Sequence, residues 1–427
     1  MQQFNYPARS EWESILKRPL FDTAQLHQTV SAVLEEIRSK GDAALKELER
    51  KFDSVELDSL EVTPDEIDEA VLQVAPELKE AILQAKRNIE VFHSGQKFVS
   101  QKIETTPGVT CWQKAVAIER VGLYIPGGSA PLFSTVLMLA VPAKIAGCSE
   151  ITLCSPPNKE GKIHPAILFA AKVAGVSRIF KLGGIQAIGA MAFGTESVPK
   201  AFKIFGPGNQ YVMAAKQLIS LRDAAIDMPA GPSEVEVIAD ETANPAFVAA
   251  DLLSQAEHGP DSQVVLVSTS EKLLEEVKAE LVRQTALLSR AAIATKALEN
   301  SRLVLLRNKE EMIEMTNLYA PEHLIIETDS YAAYTDRIVN AGSVFLGHYT
   351  PESAGDYASG TNHTLPTNGY ATAYSGVNLD SFIKKITFQE ITPQGIRNLG
   401  RTIEVMAENE QLTAHKNAVT LRLESLK

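Results

Sequence analysis

Short apolar segments alternate with helical segments from residue 121 onwards, and this alternation constrains the possible fold more than any other feature. Four strand-like segments are each followed by a turn and a segment of helical spacing, namely residues 121–125, 150–154, 178–182 and 202–205. Strand, crossover helix and strand in repetition predict a parallel sheet with helices on both faces. The predicted fold class is therefore α/β, with a doubly wound sheet.

A second alternating unit begins near residue 235, with strand-like segments at 235–238, 263–268, 324–326 and 343–346. The first hundred residues have helical spacing, and the last fifty are again helical after a glycine-bearing segment. We therefore predict four regions. They are a helical N-terminal region (1–118) that packs on the second α/β domain, an α/β domain (119–232), a second α/β domain (233–375) and a small C-terminal helical extension (376–427).

Three of the four turns in the first α/β unit are rich in glycine: 126–128, 183–184 and 206–208. Such turns let backbone N–H groups approach a phosphate at a helix N-terminus, which favours a nucleotide. The chain has no G-x-G-x-x-G sequence, so ordinary structural turns explain the pattern equally well. Gln186 and Asn209 follow two of these turns, where each could contact a ligand or cap a helix.

A helix is predicted over residues 245–258, because Asn244 suits an N-cap and Pro245 the first helical position, while Gly259 and Pro260 end it. Gln255 and His258 would then share one face of its last turn. An amide oxygen and an imidazole so placed can bind one metal ion. A C-capping histidine beside a solvated glutamine is the structural alternative.

Further polar residues stand at positions in the C-terminal half that a hydrophobic core would not favour. Four of the chain's eight histidines belong to this set, which consists of Ser233, Gln255, His258, Glu322, His323, Asp356, His363, Glu410 and His415. A mixture of nitrogen and oxygen ligands suits zinc. The adjacent pair Glu322 and His323 could activate water and accept a proton, although a solvated turn after Pro321 explains the same two residues.

The chain has three cysteines, at 111, 148 and 154, and no C-x-x-C pattern, which argues against a disulfide framework and against a thiolate zinc site. A net charge of -12 without a long acidic block disfavours nucleic acid and anionic membranes as partners. Residues 1–18 lack the apolar core of a signal peptide, and apolar runs such as 136–141 are too short to span a bilayer. These features predict a cytoplasmic protein with a small-molecule partner.

Seven long motifs resemble those of histidinol dehydrogenases, in the same order along the chain. They are GLYIPGGSAP (122–131), GPGN (206–209), MPAGPSE (228–234), SQAEHGPDSQ (254–263), APEH (320–323), GDYASGTNH (355–363) and LTAHK (412–416). The similarity extends from about residue 22 to the end, and the first twenty residues are the part without a match. So many motifs in order make this resemblance highly specific.

The resemblance implies a role for each matching residue. The family's zinc ligands correspond to Gln255, His258, Asp356 and His415. Its water-activating glutamate and general-base histidine correspond to Glu322 and His323. Its NAD contacts correspond to Tyr124, Gln186 and Asn209. Its substrate contacts correspond to Ser233, His363 and Glu410, together with His323 and the four metal ligands.

The implied activity is a two-step, NAD-linked oxidation of L-histidinol to L-histidine through L-histidinaldehyde, in histidine biosynthesis and with one Zn²⁺ per subunit. The implied fold is similar to that of aldehyde dehydrogenases, with NAD on the first α/β domain and zinc and substrate on the second. The implied assembly is a homodimer that exchanges its C-terminal segments. Two rival functions are a zinc hydrolase in which Glu322 activates a metal-bound water and a non-catalytic metabolite-binding module.

Overall fold

The structure is a computed structural model and describes residues 1–19, 23–127 and 130–427. Its strands are β1 (Gln2–Asn5), β2 (Ile103–Thr106), β3 (Val109–Ala117), β4 (Arg120–Tyr124), β5 (Glu150–Ser155), β6 (Arg178–Lys181), β7 (Lys203–Phe205), β8 (Ala225–Ile226), β9 (Glu234–Ala239), β10 (Gln263–Ser268), β11 (Arg302–Leu305), β12 (His323–Glu327), β13 (Ser343–Leu346) and β14 (Ile383–Ile391).

The helices alternate with these strands over most of the chain. They are α1 (Trp12–Ile15), α2 (Thr23–Lys40), α3 (Asp42–Phe52), α4 (Pro64–Gln73), α5 (Pro76–Ser94), α6 (Phe133–Ala146), α7 (Pro165–Ala174), α8 (Gly184–Phe193), α9 (Gln210–Ser220), α10 (Pro245–Ala256), α11 (Glu271–Thr285), α12 (Ala291–Glu299), α13 (Lys309–Tyr319), α14 (Ala332–Thr335), α15 (Glu352–Tyr357), α16 (Pro393–Asn409) and α17 (Thr413–Glu424). Within the described residues, no helix is both long and apolar enough to cross a membrane.

The first parallel sheet has five strands in the order β6-β5-β4-β7-β8. Helices α6 and α7 pack on one face and α8 and α9 on the other, so the strands are buried on both sides. Helix α6 is buried almost all round, because α5 and α7 cover the side that the sheet leaves free. This arrangement confirms the predicted doubly wound α/β unit.

The second parallel sheet has six strands in the order β1-β11-β10-β9-β12-β13. Both of its faces are covered, and the four central residues of β10 from Val264 to Val267 are inaccessible to solvent. The sheet includes β11 and β1, which the sequence analysis did not predict. All strands of the first sheet lie within 119–232, and all strands of the second except β1 lie within 233–375. The domain boundaries themselves stay a prediction.

The N-terminal helices pack differently from the prediction. Helices α2 and α3 pack against α8 and α9, and α4 and α5 against α7 and α6, so all four cover the first α/β unit. The first residues join the second unit, where β1 pairs with β11 and Trp12, Ile15 and Leu16 enter the core. The predicted packing of region 1–118 on the second domain is therefore wrong for α2–α5. Their apolar stripes, such as Val30 and Ile37, fit the helices of the first sheet instead.

A third, antiparallel sheet joins residues from both ends of the chain, in the order β14-β3-β2. The C-terminal extension was predicted to be helical, but it begins with the strand β14, most of which is exposed. After β14, Thr392 caps α16 by accepting a hydrogen bond from the Gly395 N–H. Helices α16 and α17 then pack against each other as a hairpin.

Candidate active site

Polar side chains gather at the amino ends of the second sheet's central strands. Glu322 precedes β12, His323 is its first residue, and Glu234 is the first residue of the neighbouring strand β9. Helix α10 runs back from the carboxyl end of β9, so Gln255 in its last turn reaches the same edge. Gln255, Glu322 and His323 are all buried. The fold therefore brings together residues that are almost 70 positions apart in sequence.

Gln255 connects the helix to the two strands. Its Nε2 donates to the carbonyl oxygen of Glu234 at 3.2 Å and lies 2.9 Å from His323 Nδ1. Its Oε1 is buried and accepts no hydrogen bond from any residue that the structure describes. An amide oxygen in this state is suited to binding a cation or an N–H donor.

The Glu322 side chain is held by the main chain of the neighbouring strand β9. The Glu234 N–H donates to Glu322 Oε2 at 2.9 Å, and the same oxygen lies 3.6 Å from His323 Nδ1. The two residues that were predicted to act as a pair therefore lie side by side in a buried pocket, rather than in a solvated turn.

His323 is surrounded by carboxylates. Its Nε2 lies 3.4 Å from Asp356 Oδ1, and ligand atoms of His323, Asp356 and Glu352 all lie within 4.8 Å of one another. Burial alone would lower the pKa of His323, but Glu352 and Glu322 together raise it well above its ordinary value. Burial raises the pKa of Glu352 well above its ordinary value, against the opposing charge of His323.

Glu352 was missed by the sequence analysis. It lies four residues before Asp356 on α15, and that spacing places both carboxylates on one face of a helix. The four-residue spacing from Asp356 could have indicated Glu352 as a candidate site residue, but Glu352 belongs to none of the seven motifs.

His258 lies two residues beyond the end of α10, whereas the prediction placed it in the helix. The turn tightens there, since the His258 N–H donates to the Gln255 carbonyl at 3.2 Å. Crowding by protein atoms lowers the pKa of His258, against the opposing effect of Asp356 and Glu322, and so favours a neutral imidazole. His258 is nevertheless exposed, so a ligand can reach its imidazole.

His363 connects the second sheet to the first unit. Its Nε2 lies 3.0 Å from the hydroxyl of Thr135 in α6, and its Nδ1 lies 2.9 Å from the carbonyl oxygen of Asp356. Thr135 follows β4 at the carboxyl edge of the first sheet. Ser233 is half-buried and directly precedes β9, at the amino edge of the second sheet. The site therefore lies where the carboxyl edge of one sheet meets the amino edge of the other.

Glu410 and His415 lie elsewhere in the chain. Glu410 is the C-cap residue of α16 and His415 lies in the first turn of α17, and both side chains are exposed. Within one chain the structure does not bring them to Gln255, His258 and Asp356.

The three predicted NAD contacts lie at the carboxyl edge of the first sheet. Tyr124 ends β4, and its hydroxyl accepts a hydrogen bond from the Gly184 N–H at 3.2 Å. Gln186 is buried within α8 and donates to Asp53 Oδ2 at 3.2 Å. Asn209 caps α9 by accepting from the N–H groups of residues 211 and 212. Gly128 and Ser129, from the glycine-rich turn after β4, lie outside the described residues.

Two carboxyl groups that the sequence analysis did not single out lie beneath this edge. Glu49 and Asp53 are four residues apart at the end of α3, and Glu49 Oε1 accepts from the Gly183 N–H at 3.1 Å. Burial, with a contribution from Asp53, raises the pKa of Glu49 to about 8. Burial also raises the pKa of Tyr124, to about 12.

The donor set around Gln255 fits a divalent metal ion. Among the described residues, the buried oxygens Gln255 Oε1 and Asp356 Oδ1 accept no hydrogen bond, although Asp356 Oδ1 lies 3.4 Å from His323 Nε2. The neutral form of His258 is favoured. Amide, carboxylate and imidazole ligands together suit zinc. The three residues come from α10, the turn after it and α15, so the packing of these elements creates the site.

Comparison with known proteins gives one consistent result. A sequence model described as histidinol dehydrogenase matches residues 16–423. A histidinol dehydrogenase from Bacteroides fragilis (strain YCH46) is 67% identical over 427 residues, covering 100% of both chains. One from Bacteroides thetaiotaomicron has the same identity and coverage, 67% and 100%. The crystal structure of histidinol dehydrogenase from Elizabethkingia anophelis aligns with a TM-score of 0.98 at 57% identity, covering 100% of this chain and 98% of that chain.

Proposed function

This chain belongs to the histidinol dehydrogenase family, and we propose that it oxidises L-histidinol to L-histidine through L-histidinaldehyde. Each histidine formed would consume two NAD molecules, and each subunit would hold one zinc ion. Membership of the family makes it an oxidoreductase of histidine biosynthesis. The observation that carries the proposal is the buried cluster in which His323 lies between Glu322, Gln255 and Asp356.

Zinc would be held by Gln255, His258 and Asp356, with His415 as the fourth ligand. Gln255 Oε1 and Asp356 Oδ1, which accept no hydrogen bond from the described part of the chain, support this assignment. When bound, zinc supplies a template that orients the substrate through its imidazole and amino nitrogens. Ser233, His363 and Glu410 would complete the substrate contacts.

His323 would accept the hydroxyl proton while the first NAD takes a hydride from the alcohol carbon. Glu322 and Asp356, whose carboxylate oxygens lie 3.6 and 3.4 Å from the two ring nitrogens, would stabilise the protonated imidazole that results. Glu322 would then take a proton from the water that adds to the aldehyde. His323 would return its proton to the aldehyde oxygen as the water adds. It would then take a hydroxyl proton of the hydrated aldehyde while the second NAD accepts the hydride, which leaves the carboxylic acid.

NAD would bind at the carboxyl edge of the first sheet, in contact with Tyr124, Gln186 and Asn209. Parallel α/β sheets bind nucleotides at that edge, where glycine-rich turns expose N–H groups at helix N-termini. The hydrogen bond between His363 and Thr135 supports this placement, because it joins the candidate substrate site to α6 of the first sheet.

The C-terminal hairpin would supply Glu410 and His415 to the site of a second subunit. Both side chains are exposed, and so are apolar side chains of the same segment, including Phe388, Met406 and Leu421. Exposed apolar side chains of this size favour burial against another chain. A homodimer with exchanged hairpins would bury them and complete both sites.

The activity is tested by adding L-histidinol and NAD to the purified protein and following the absorbance of NADH. We expect two NADH for each histidine formed. Hydrolysis of an ester or amide without NADH would support the zinc hydrolase instead, and no reaction at all would leave only a binding module.

The exchanged hairpin is tested by mixing two inactive variants, His258→Asn and His415→Asn, after co-refolding. If the hairpin crosses to the partner, each mixed dimer has one intact site and one with both lesions. Random assortment then restores about a quarter of the parent activity, because half of the dimers are mixed and each has one good site of two. If the hairpin stays with its own chain, the mixture remains inactive.

A further inference from the structure

A buried ion pair joins the N-terminal segment to the first residue of β9. Arg18 Nε donates to Glu234 Oε1 at 2.6 Å and Arg18 Nη2 to Glu234 Oε2 at 2.7 Å, so the guanidinium binds the carboxylate with two parallel hydrogen bonds. The Glu234 side chain is only 3% exposed and that of Arg18 is 16% exposed. A bidentate arginine–carboxylate pair fixes the relative orientation of the two side chains in addition to pairing their charges.

Arg18 is itself held in place by α13. Its Nη2 also donates to the carbonyl oxygen of Tyr319 at 2.7 Å, and its guanidinium carbon lies 4.1 Å from the centre of the Tyr319 ring. Tyr319 is buried, and its hydroxyl donates to Gln263 at the start of β10. The arginine is therefore fixed on two sides and can act as a rigid support for Glu234.

The main chain of Glu234 contacts three residues of the candidate active site. Its N–H donates to Glu322 Oε2 at 2.9 Å, and its carbonyl oxygen accepts from Gln255 Nε2 at 3.2 Å and lies 3.3 Å from His323 Nδ1. The peptide groups of one residue thus orient a candidate metal ligand, a candidate water-activating group and a candidate base.

We propose that Arg18 is a positioning residue, which acts through Glu234 to orient Glu322, His323 and Gln255. The proposal rests on the function proposed above. It gives a role to the N-terminal segment, which carries none of the seven motifs. A small displacement of Glu234 would change its two main-chain hydrogen bonds, to Glu322 and Gln255, and its 3.3 Å contact with His323 at once. Catalysis depends steeply on such alignment.

The test uses Arg18→Lys, which keeps the positive charge near Glu234 but cannot form two parallel hydrogen bonds. Arg302→Lys is the matched control. Arg302 is also partly buried and donates to the N-terminal segment, at the Ile15 carbonyl, without contacting Glu234. We expect Arg18→Lys to lower kcat by about 10- to 100-fold, the range seen when a residue that orients metal ligands is replaced. KM should change less than kcat, and Arg302→Lys should stay within about twofold of the parent.

Crystal structures of the parent and of Arg18→Lys provide a second readout that does not need activity. We expect the Glu322 carboxylate to leave hydrogen-bond range of the Glu234 N–H in the variant. An unchanged site geometry would overturn the proposal, as would a kcat equal to that of the parent or an equal loss in Arg302→Lys. If the parent does not oxidise L-histidinol, the proposed function fails, while the geometry still decides whether Arg18 positions Glu322.

A double variant, Arg18→Met with Glu234→Met, covers the case in which Arg18→Lys does not fold. Removing both charges leaves no unpaired buried ion, and an apolar pair often replaces a buried ion pair without loss of stability. The folded double variant should show the same 10- to 100-fold loss of kcat. Parent activity in that variant would overturn the proposal.

Discussion

Replacing Glu49 with glutamine measures how a buried carboxyl group makes the stability of the protein depend on pH. Glu49 is inaccessible to solvent, and burial together with Asp53 raises its pKa from 4.5 to about 8. The folded protein therefore keeps a proton that the unfolded chain releases at lower pH. Proton binding by Glu49 therefore stabilises the folded protein. This stabilisation is fully present below about pH 4.5 and is lost as the pH rises through about 8.

The size of the effect follows from the difference between the two pKa values. At about 1.36 kcal/mol for each pKa unit, the loss of stability is on the order of 3 to 5 kcal/mol. Glutamine keeps the oxygen that accepts from the Gly183 N–H at 3.1 Å and carries no charge at any pH. Glu49→Gln should therefore match the parent near pH 5 and be more stable than the parent near pH 9.

Thermal unfolding by circular dichroism, at one scan rate and at pH 5, 7 and 9, measures this difference. For a unit of about 200 residues, the expected gain of Glu49→Gln over the parent at pH 9 is about 10 °C in Tm. Glu47→Gln is the control, because Glu47 is exposed on the same helix. If the difference between Glu49→Gln and the parent is the same at pH 5 and pH 9, the carboxyl group is ionised in the folded protein and the reasoning is wrong.

Three further predictions concern the chemistry of the site. Glu322→Gln should slow oxidation of the aldehyde more than oxidation of the alcohol, whereas His323→Asn should slow both, and equal damage to both steps by both variants would refute this division. Replacing Cys111, Cys148 and Cys154 by serine or alanine should keep turnover within a few-fold, because burial raises the pKa of Cys148 to about 11 and also raises that of Cys154. Selective loss of aldehyde oxidation in a folded triple variant would indicate a thiol nucleophile. Removal of metal with a chelator should abolish NADH formation and Zn²⁺ should restore it, and full activity in a sample shown to be metal-free would exclude the proposed zinc dependence.

Local signals in the sequence predicted local structure well. Asn209 caps α9 and Asn244 caps α10, because an N-cap depends only on residues within one helical turn. Four apolar strands of each parallel sheet were recognised, because burial on two faces requires continuous apolar runs, whereas β1, β8 and β11 were missed. The strand β14 was missed, since most of its side chains are exposed and it resembles a polar segment.

Features that depend on distant parts of the chain could not be predicted from local patterns. The packing of α2–α5 on the first unit depends on which of two apolar surfaces fits their stripes better, and periodicity does not distinguish the two. No local pattern indicates a role for Glu234, because its role depends on its peptide groups. These contact Glu322, which precedes β12, and Gln255, which lies in α10. Motifs named the site residues, but only the three-dimensional contacts show how they are held.

The pairing of β3 with β14 joins segments about 270 residues apart, and it sets an order for folding during synthesis. A ribosome that adds roughly 5 to 20 residues per second needs roughly 15 to 55 s to make the residues between the two strands. The edge of β3 that pairs with β14 therefore stays unpaired during this time, while both α/β units can already form. Because residues 392–427 follow β14 directly, the helices that carry Glu410 and His415 are made after β14. Assembly of a complete site through them would then begin only after both α/β units have been synthesised.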